Sequence, residues 1–342
     1  MRANLFTSTF TKSNNAIPIW FMRQAGRYLP EYMEVRSKFS NFLDLCYNSN
    51  SASLITLQPV ERFSMDAAII FSDILVLPHC LGWDVRFEKN EGPILKKFEK
   101  TEDLKIISND LSSQINSIYE TVAKTKAKLS KEVALIGFAG SPWTVASYML
   151  EGKGKQNFSV SKEFLYKHKS LADELVSIIT SATIEYLKNQ ILAGADTIKL
   201  FDSWSGVLSG DLFEDFVIKP TRVITKELKT IFPDIPIIGF PRGAGYNYEK
   251  YIESTGIDGV AVDQFVPVEQ MKKWQKKLVV QGNFDPIILL TDKTGISRYA
   301  EQILNKVEDK NFIFNLGHGI LPQTPVENVE YLVNYVKKHS KR

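Results

Sequence analysis

Arg23 and Arg27 stand just beyond an apolar run, Ile17-Pro-Ile-Trp-Phe-Met22. The run reads as a short buried strand. Gly26 and Pro30 forbid its simple continuation, so both arginines fall in a turn past a strand end. Two guanidiniums this close repel each other and call for anions. Each presents a planar fork of donors that matches a carboxylate or phosphate bidentately. A lone arginine most often pairs with an Asp or Glu of its own protein. A pair at a strand end points instead to a bound acidic ligand.

Other residue types with chemical use stand at similar places. Asp73 ends the apolar run 66–73, as a partner for an arginine or as a site carboxylate. His318 sits between Gly317 and Gly319 after a further run. A lone histidine is usually structural, but glycines permit close backbone approach to a ligand. Tyr148 follows Ser141 by two helical turns, and spacing alone favours core packing for it. Gly152-Lys-Gly-Lys155 lacks the spacing and the Lys-Ser/Thr pair of a nucleotide loop. His79 and Cys80 are metal-type ligands, but adjacent residues rarely chelate one ion and no cluster accompanies them. No metal site, no nucleophile motif and no dinucleotide fingerprint is read from the chain.

The elements that position these residues follow from apolar periodicity. Strands are expected at 17–22, 66–73, 133–138, 197–201, 236–240, 259–262, 278–281 and 311–315. Helices are expected at 31–39, 54–64, 101–130, 161–193 and 211–230, the last kinked at Pro220. Another starts with Ser141 as cap and Pro142 at its first position. The final helix opens with a capping box, Thr324-Pro-Val-Glu327. Residues 84–100 read as a hairpin excursion. Continuous apolar strands alternating with helices mean parallel pairing under a helical cover. Eight units in a chain of 342 residues predict an α/β fold, a distorted (β/α)8 TIM-type barrel over residues 17–342 as a single domain. Residues 1–16, polar and without an apolar core, are expected to form a flexible arm. In such a barrel the strand C-termini carry the site. That end collects Arg23, Arg27, Asp73, Asp202, Ser203, Arg242, Asp263, Asn283, Asp285 and His318.

Composition narrows the partners. The net charge of +3 gives no electrostatic case for nucleic acid or a membrane surface. No apolar stretch reaches membrane-spanning length, and no secretory signal is visible. Cys46 and Cys80 are too few for a disulfide framework, which fits a cytoplasmic protein. The residues alone thus give a barrel enzyme for an acidic small molecule.

Residues 17–36 closely resemble the N-terminal signature of the uroporphyrinogen decarboxylases. The resemblance continues through Leu57-Gln-Pro59, Ala67-Ala-Ile-Ile-Phe-Ser-Asp-Ile-Leu75, Gly140-Ser-Pro-Trp-Thr144, Tyr148-Met-Leu-Glu-Gly152 and Asn315-Leu-Gly-His-Gly319. It implies a homodimer of distorted barrels. It implies conversion of the four acetate side chains of uroporphyrinogen III to methyls, giving coproporphyrinogen III, with no cofactor and no metal. By position, the family's carboxylate-binding arginines resemble Arg23 and Arg27, with Arg36 in a supporting place. The central aspartate resembles Asp73. The site tyrosine, serine, histidine and cleft phenylalanine resemble Tyr148, Ser203, His318 and Phe201. Asp73, Arg23, Tyr148 and His318 are the expected catalytic set. Trp204 departs from the smaller or more polar residue expected there.

The chemistry agrees with that resemblance. Decarboxylation needs an electron sink, for which enzymes commonly recruit an organic cofactor or a metal. An acetate on a pyrrole brings its own sink once the ring carbon is protonated. The proton donor stays open between an arginine, a relayed water and Tyr148 or His318. Zinc-dependent methyltransferases of a related barrel superfamily are the rival among enzymes. Ile320 stands two residues after His318, so no His-x-Cys ligand pair appears there. A tetrapyrrole carrier is the rival outside enzymology, and it would not need Asp73.

Overall fold

The computed structural model describes residues 4–88, 91–107, 110–154, 158–308 and 310–340. Seven parallel strands form one curled sheet in chain order. They are β1 (Ala67–Ile69), β4 (Ala134–Gly140), β5 (Thr197–Asp202), β6 (Ile237–Pro241), β7 (Gly259–Ala261), β8 (Val279–Phe284) and β9 (Phe312–Leu316). Between β1 and β4 lies an antiparallel hairpin, β2 (Val85–Glu88) with β3 (Gly92–Leu95). The remaining gap in the curl is filled by the first apolar run. Ile19 bridges in parallel to Phe314 of β9, and Phe314 N donates to Pro18 O at 2.9 Å. On its other side, Asp66 N donates to Ile19 O at 2.9 Å, while Ile19 N donates to the Asp66 carboxylate at 2.7 Å. Residues 17–22 therefore act as the eighth stave. They are short of a full ladder because Pro18 has no N–H to give.

Alternation along the strands decides what fills the curl. Trp20, Met22, Ala134, Ile136, Ile238, Phe240 and Ile313 form an apolar cluster separate from the larger layer under the helices. Successive members two apart lie on one face of their strands, here the inner face. Phe6 joins this cluster and is fully buried. Residues 4–16 thus differ from the expected arm. Leu5–Ser8 is a helical turn capped by Asn4, whose side chain accepts from Thr7 N. Phe6 and Phe10 pack ring on ring at 5.9 Å, and Phe10 lies against Gly259 at the start of β7. Two phenylalanines one helical turn apart close the N-terminal end of the barrel.

The expected hairpin, helix starts and strand runs are present, with several corrections. The stretch 101–130 is not one helix. It contains Leu104–Ile107 and Asn116–Lys128, each preceded by a 3-10 turn. Asp103 accepts from Glu99 N and Lys100 N, the kind of side-chain bond that competes with helix. The stretch 161–193 divides into Ser159–Lys167 and Lys169–Leu192 at His168, whose backbone leaves the helical region. The kink near Pro220 is a widened turn, Glu214–Ile218, before helix Lys219–Ile231. The final helix, Val326–His339, takes Pro325 as its cap, so Thr324 is one residue too early and its buried hydroxyl has no partner among the described residues. Lys155 of the glycine-lysine stretch lies outside the described residues.

Candidate active site

Arg23 owes its place to a turn that closes right after the eighth stave. Gln24 N donates to Phe21 O at 3.1 Å, and Arg23 takes a left-handed backbone, φ 59°. Such a φ is uncommon for a residue with a side chain and holds only where neighbours enforce it. Gln24 is the enforcer. Its buried side chain accepts from Phe21 N and donates to Ala67 O on β1, both at 3.1 Å. The Arg23 guanidinium reaches the cleft at the C-terminal end of the strands, with Asp73, Tyr148, Arg27 and Arg242 acting on it. Desolvation lowers its pKa; Asp73 and Tyr148 oppose, and the other arginines reinforce.

Asp73 lies between β1 and the short helix Val76–Cys80, and its carbonyl accepts from Val76 N at 3.2 Å. One carboxylate oxygen accepts from Leu75 N at 2.9 Å. The other makes no hydrogen bond among the described residues and is left to the cleft. Burial pushes this carboxyl up, against the Leu75 N–H and Arg23. Tyr148 lies on helix Pro142–Glu151, braced at its end by the hairpin segment, with Phe98 N on Met149 O and Leu95 N on Gly152 O. Desolvation raises its pKa, and the Trp204 indole N–H acts the other way.

Trp204, the departure seen in the sequence, is part of this wall. Its ring meets Tyr148 edge-on at 6.4 Å and packs on Phe158 at 4.5 Å. Its backbone N donates to Thr144 Oγ1, which donates to buried Asp202 at 2.6 Å. Burial pushes the Asp202 carboxyl up to about 7. Ser203, half-buried, sits between them at the end of β5. Phe201 points inward from β5, edge-on to Phe138 at 5.6 Å and to Phe240 at 6.1 Å, and makes an aromatic floor. Below that floor lies Lys199, fully buried and without a hydrogen-bond partner among the described residues. Trp20, Phe201 and Phe240 surround its amine at 4.9 to 5.2 Å, and burial pushes its pKa well down.

His318 closes the ring of side chains from the loop after β9. Desolvation, then Arg242 and Arg23, push its pKa down to about 3. The imidazole is therefore neutral in the free protein at ordinary pH. Gly319 beside it lies directly under the Arg23 side chain.

The structure thus brings together Arg23, Arg27, Asp73, Tyr148, His318 and Arg242, while Phe201 and Ser203 stand at the end of β5. Arg36 stands apart. Its guanidinium donates to Phe39 O and lies over the Phe42 ring at 5.8 Å. Four of the polar strand ends are structural. Asp263 accepts from Tyr248 Oη, Gly243 N and Phe265 N. Asn283 lies within β8 and donates to Asp263 O and Val266 O. Asp285 caps the turn Pro286–Leu290. Asp202 is sealed behind Thr144. The residues that sequence reasoning did not place in the site are Gln24 and Gly319. Arg242 stood at a strand end like the others, and only its lack of a partner separates it from them.

The site holds a clear charge imbalance. Arg62, Arg86 and Arg222 have carboxylate partners. Among the described residues, none of Arg23, Arg27 and Arg242 has one. A single carboxylate, Asp73, faces these cations. Such a cleft suits a ligand with several carboxylates. Among the described residues, no three His, Cys, Asp or Glu side chains are grouped as a metal site.

Comparison with known proteins gives a consistent result. The family model described as uroporphyrinogen decarboxylase (URO-D) matches residues 4–339. A uroporphyrinogen decarboxylase of Rickettsia conorii is 56% identical over 330 residues, 96% of this chain and 95% of its own. One from Rickettsia akari is 55% identical over 334 residues, covering 98% of this chain and 99% of its own. Among solved structures, a methyltransferase from Methanosarcina mazei superposes with a TM-score of 0.79 at 19% identity, over 97% of each chain. That likeness concerns the fold alone.

Proposed function

The chain belongs to the uroporphyrinogen decarboxylase family, and from that premise we propose how its own residues carry out the reaction. The protein is a carboxy-lyase acting on a reduced tetrapyrrole, uroporphyrinogen III. It replaces the acetate carboxyls by hydrogen and yields coproporphyrinogen III and carbon dioxide. Residues 17–342 serve as one catalytic barrel.

The observation that carries the mechanism is the free oxygen of Asp73 facing the cleft, opposite arginines without counterions. Pyrrole N–H groups are the inward donors of a flexible macrocycle. One acceptor carboxylate collects several of them and domes the ring system around itself. A proton added to a ring carbon beside the acetate makes that pyrrole cationic. Asp73 stabilises this cation more than the neutral ring, so its effect grows toward the transition state. The bond to the carboxyl carbon then breaks. Its electron pair enters the ring, carbon dioxide leaves, and an exocyclic methylene remains. A second proton reaches the methylene carbon, and the first leaves the ring carbon, restoring the aromatic pyrrole.

Arg23 and Arg27 hold carboxylates by paired N–H bonds. Tyr148 donates to a carboxylate, with the Trp204 ring edge-on beside it. Ser203 and Phe201 form the wall and floor, and Arg36 supports the rim. His318 enters as a neutral hydrogen-bonding group and not as an imidazolium acid. That leaves Arg23, Tyr148 or a relayed water to supply the ring proton. Anaerobic incubation of the purified protein with uroporphyrinogen tests the reading. Stepwise loss of carboxyl groups to the tetracarboxylate is the expected result, and recovery of intact substrate would refute it.

A homodimer is proposed on one further feature. Tyr246, Phe265 and Ile287 are 105%, 76% and 53% exposed, on the loops after β6, β7 and β8. Exposed apolar residues on three successive loops suit an interaction surface, and a second copy covering them is the family's expected arrangement. Light scattering at the monomer mass would contradict it. No helix among the described residues is long and apolar enough to cross a membrane, and action in the cytoplasm is proposed with buried, unbridged Cys46 and Cys80.

A further inference from the structure

Arg242 is anchored through its backbone, yet among the described residues its side chain has no hydrogen-bond or ion-pair partner. Its backbone N donates to Asp202 O at 3.1 Å and Phe240 O at 3.0 Å. Its carbonyl accepts from Gly206 N at 3.1 Å and Ser205 Oγ at 2.9 Å. The two loops meet so closely that a Cβ on Gly206 would come within 2.5 Å of Gly243 O. The start of the side chain is therefore fixed between the ends of β5 and β6. Its Nε–H is buried and unpartnered. No carboxylate among the described residues pairs with it. The groups that feel its charge are Arg23 and His318.

A desolvated donor beside a second cation costs free energy unless an anion completes the arrangement. The anion required is one that Arg242 reaches together with the Arg23 side of the cleft. Asp73 follows β1 and Arg242 follows β6, with β4 and β5 between them in the sheet, which sets Arg242 to one side of the reacting ring. We propose that Arg242 binds a propionate carboxylate of the substrate, one that does not react. The proposal rests on the family reading above. It also explains how one site treats four rings in turn. Each ring carries a propionate, and the propionates persist while acetates are lost. A grip on a propionate therefore keeps the same strength at every step.

The test uses full-length protein with Arg242→Gln and Arg242→Lys, each checked for an unchanged thermal melt. Kinetics are measured on the octacarboxylate and on the pentacarboxylate, which keeps one acetate and all propionates. Arg242→Gln is expected to raise KM roughly ten- to a hundredfold, by the same factor for both substrates. The change in kcat is expected to be much smaller. Arg242→Lys, with charge but no fork, falls between. Inhibition by coproporphyrinogen, which has propionates only, is expected to weaken by the same factor in Arg242→Gln. Unchanged KM and inhibition would overturn the proposal. So would a KM defect confined to the octacarboxylate, or a fall in kcat alone. Failure of the wild-type protein to decarboxylate either substrate would instead refute the family reading.

Discussion

Arg23 lies across the backbone of Gly319, so close that a Cβ on Gly319 would sit 2.3 Å from Arg23 Cδ and 2.6 Å from its Cγ. The glycine therefore sets the height of the guanidinium above the loop after β9. In Gly319→Ala the flexible Arg23 side chain must move, because the backbone on both sides is held by hydrogen bonds. Met22 N donates to Asn315 Oδ1, and Ile320 N donates to Met22 O. Stability is expected to change little. The value of kcat/KM is expected to fall by roughly tenfold to a hundredfold, the scale of a misplaced catalytic group. Denaturation and steady-state kinetics on the one variant give both readings. Full activity with normal stability would mean that Arg23 tolerates the shift.

Asp73 is expected to be the most sensitive position. Asp73→Asn keeps the shape and an acceptor for Leu75 N, but it removes the charge. Turnover is expected to drop by roughly a hundredfold or more, as for other preorganised electrostatic groups. Asp73→Glu keeps charge in a displaced place and is expected to retain part of the activity. Circular dichroism must first establish that both fold. Near-normal turnover in Asp73→Asn would remove the carboxylate from the mechanism.

Much of this site was readable in the sequence, for a physical reason. Buried parallel strands are continuous apolar runs, and their polar successors are aimed at the barrel mouth. Arg23, Arg27 and Asp73 could be placed by that rule alone. The same rule gathered Asp263, Asn283 and Asp285, which are structural. Strand ends tell where a side chain starts and not what it bonds to. Arg242 shows the converse, since its meaning lies in the partner it lacks. The helix breaks were hidden because His168 and Asp103 act through local backbone geometry rather than periodicity. The N-terminal plug left one faint signal, Phe6 and Phe10 a turn apart in an otherwise polar stretch. Lys199 left none. A lysine inside an apolar strand, Thr197–Asp202, reads as an outward residue, yet it faces in and is enclosed by Trp20, Phe201 and Phe240.

His318 makes a prediction about pH. Burial and two arginines hold its pKa near 3, so no imidazolium is available in the free protein at neutral pH. His318→Asn, a neutral donor and acceptor of similar reach, is expected to slow turnover only partly. The pH profile of kcat/KM reports free-enzyme groups. Its shape between about pH 5 and pH 8 is expected to be the same in wild type and variant. Disappearance of a limb in that window would show that His318 titrates there and would contradict its neutral role.

Asp202 makes the last prediction, on stability. Its carboxyl is fully buried and raised from 3.8 to about 7 by desolvation, with the Thr144 hydroxyl only partly offsetting this. The oxygen not bonded to Thr144 has no partner among the described residues. A raised folded-state pKa means that the folded protein binds this proton more tightly than the unfolded chain does. The resulting stabilisation is complete below the unfolded value and is lost as pH rises through about 7. At 1.36 kcal/mol per pKa unit the full swing is about 4 kcal/mol. Asp202→Asn keeps an acceptor for Thr144 and cannot ionise. Relative to wild type, it is expected to gain stability steadily from about pH 4 to about pH 7 and to level off above. The difference between the two proteins isolates this carboxyl from the other groups that titrate. Urea denaturation across that range measures it, and the Trp204 wall is expected to remain, since Thr144 still accepts from Trp204 N. A wild-type-to-variant difference that is flat from pH 4 to pH 8 would mean that Asp202 is ionised in the folded protein throughout.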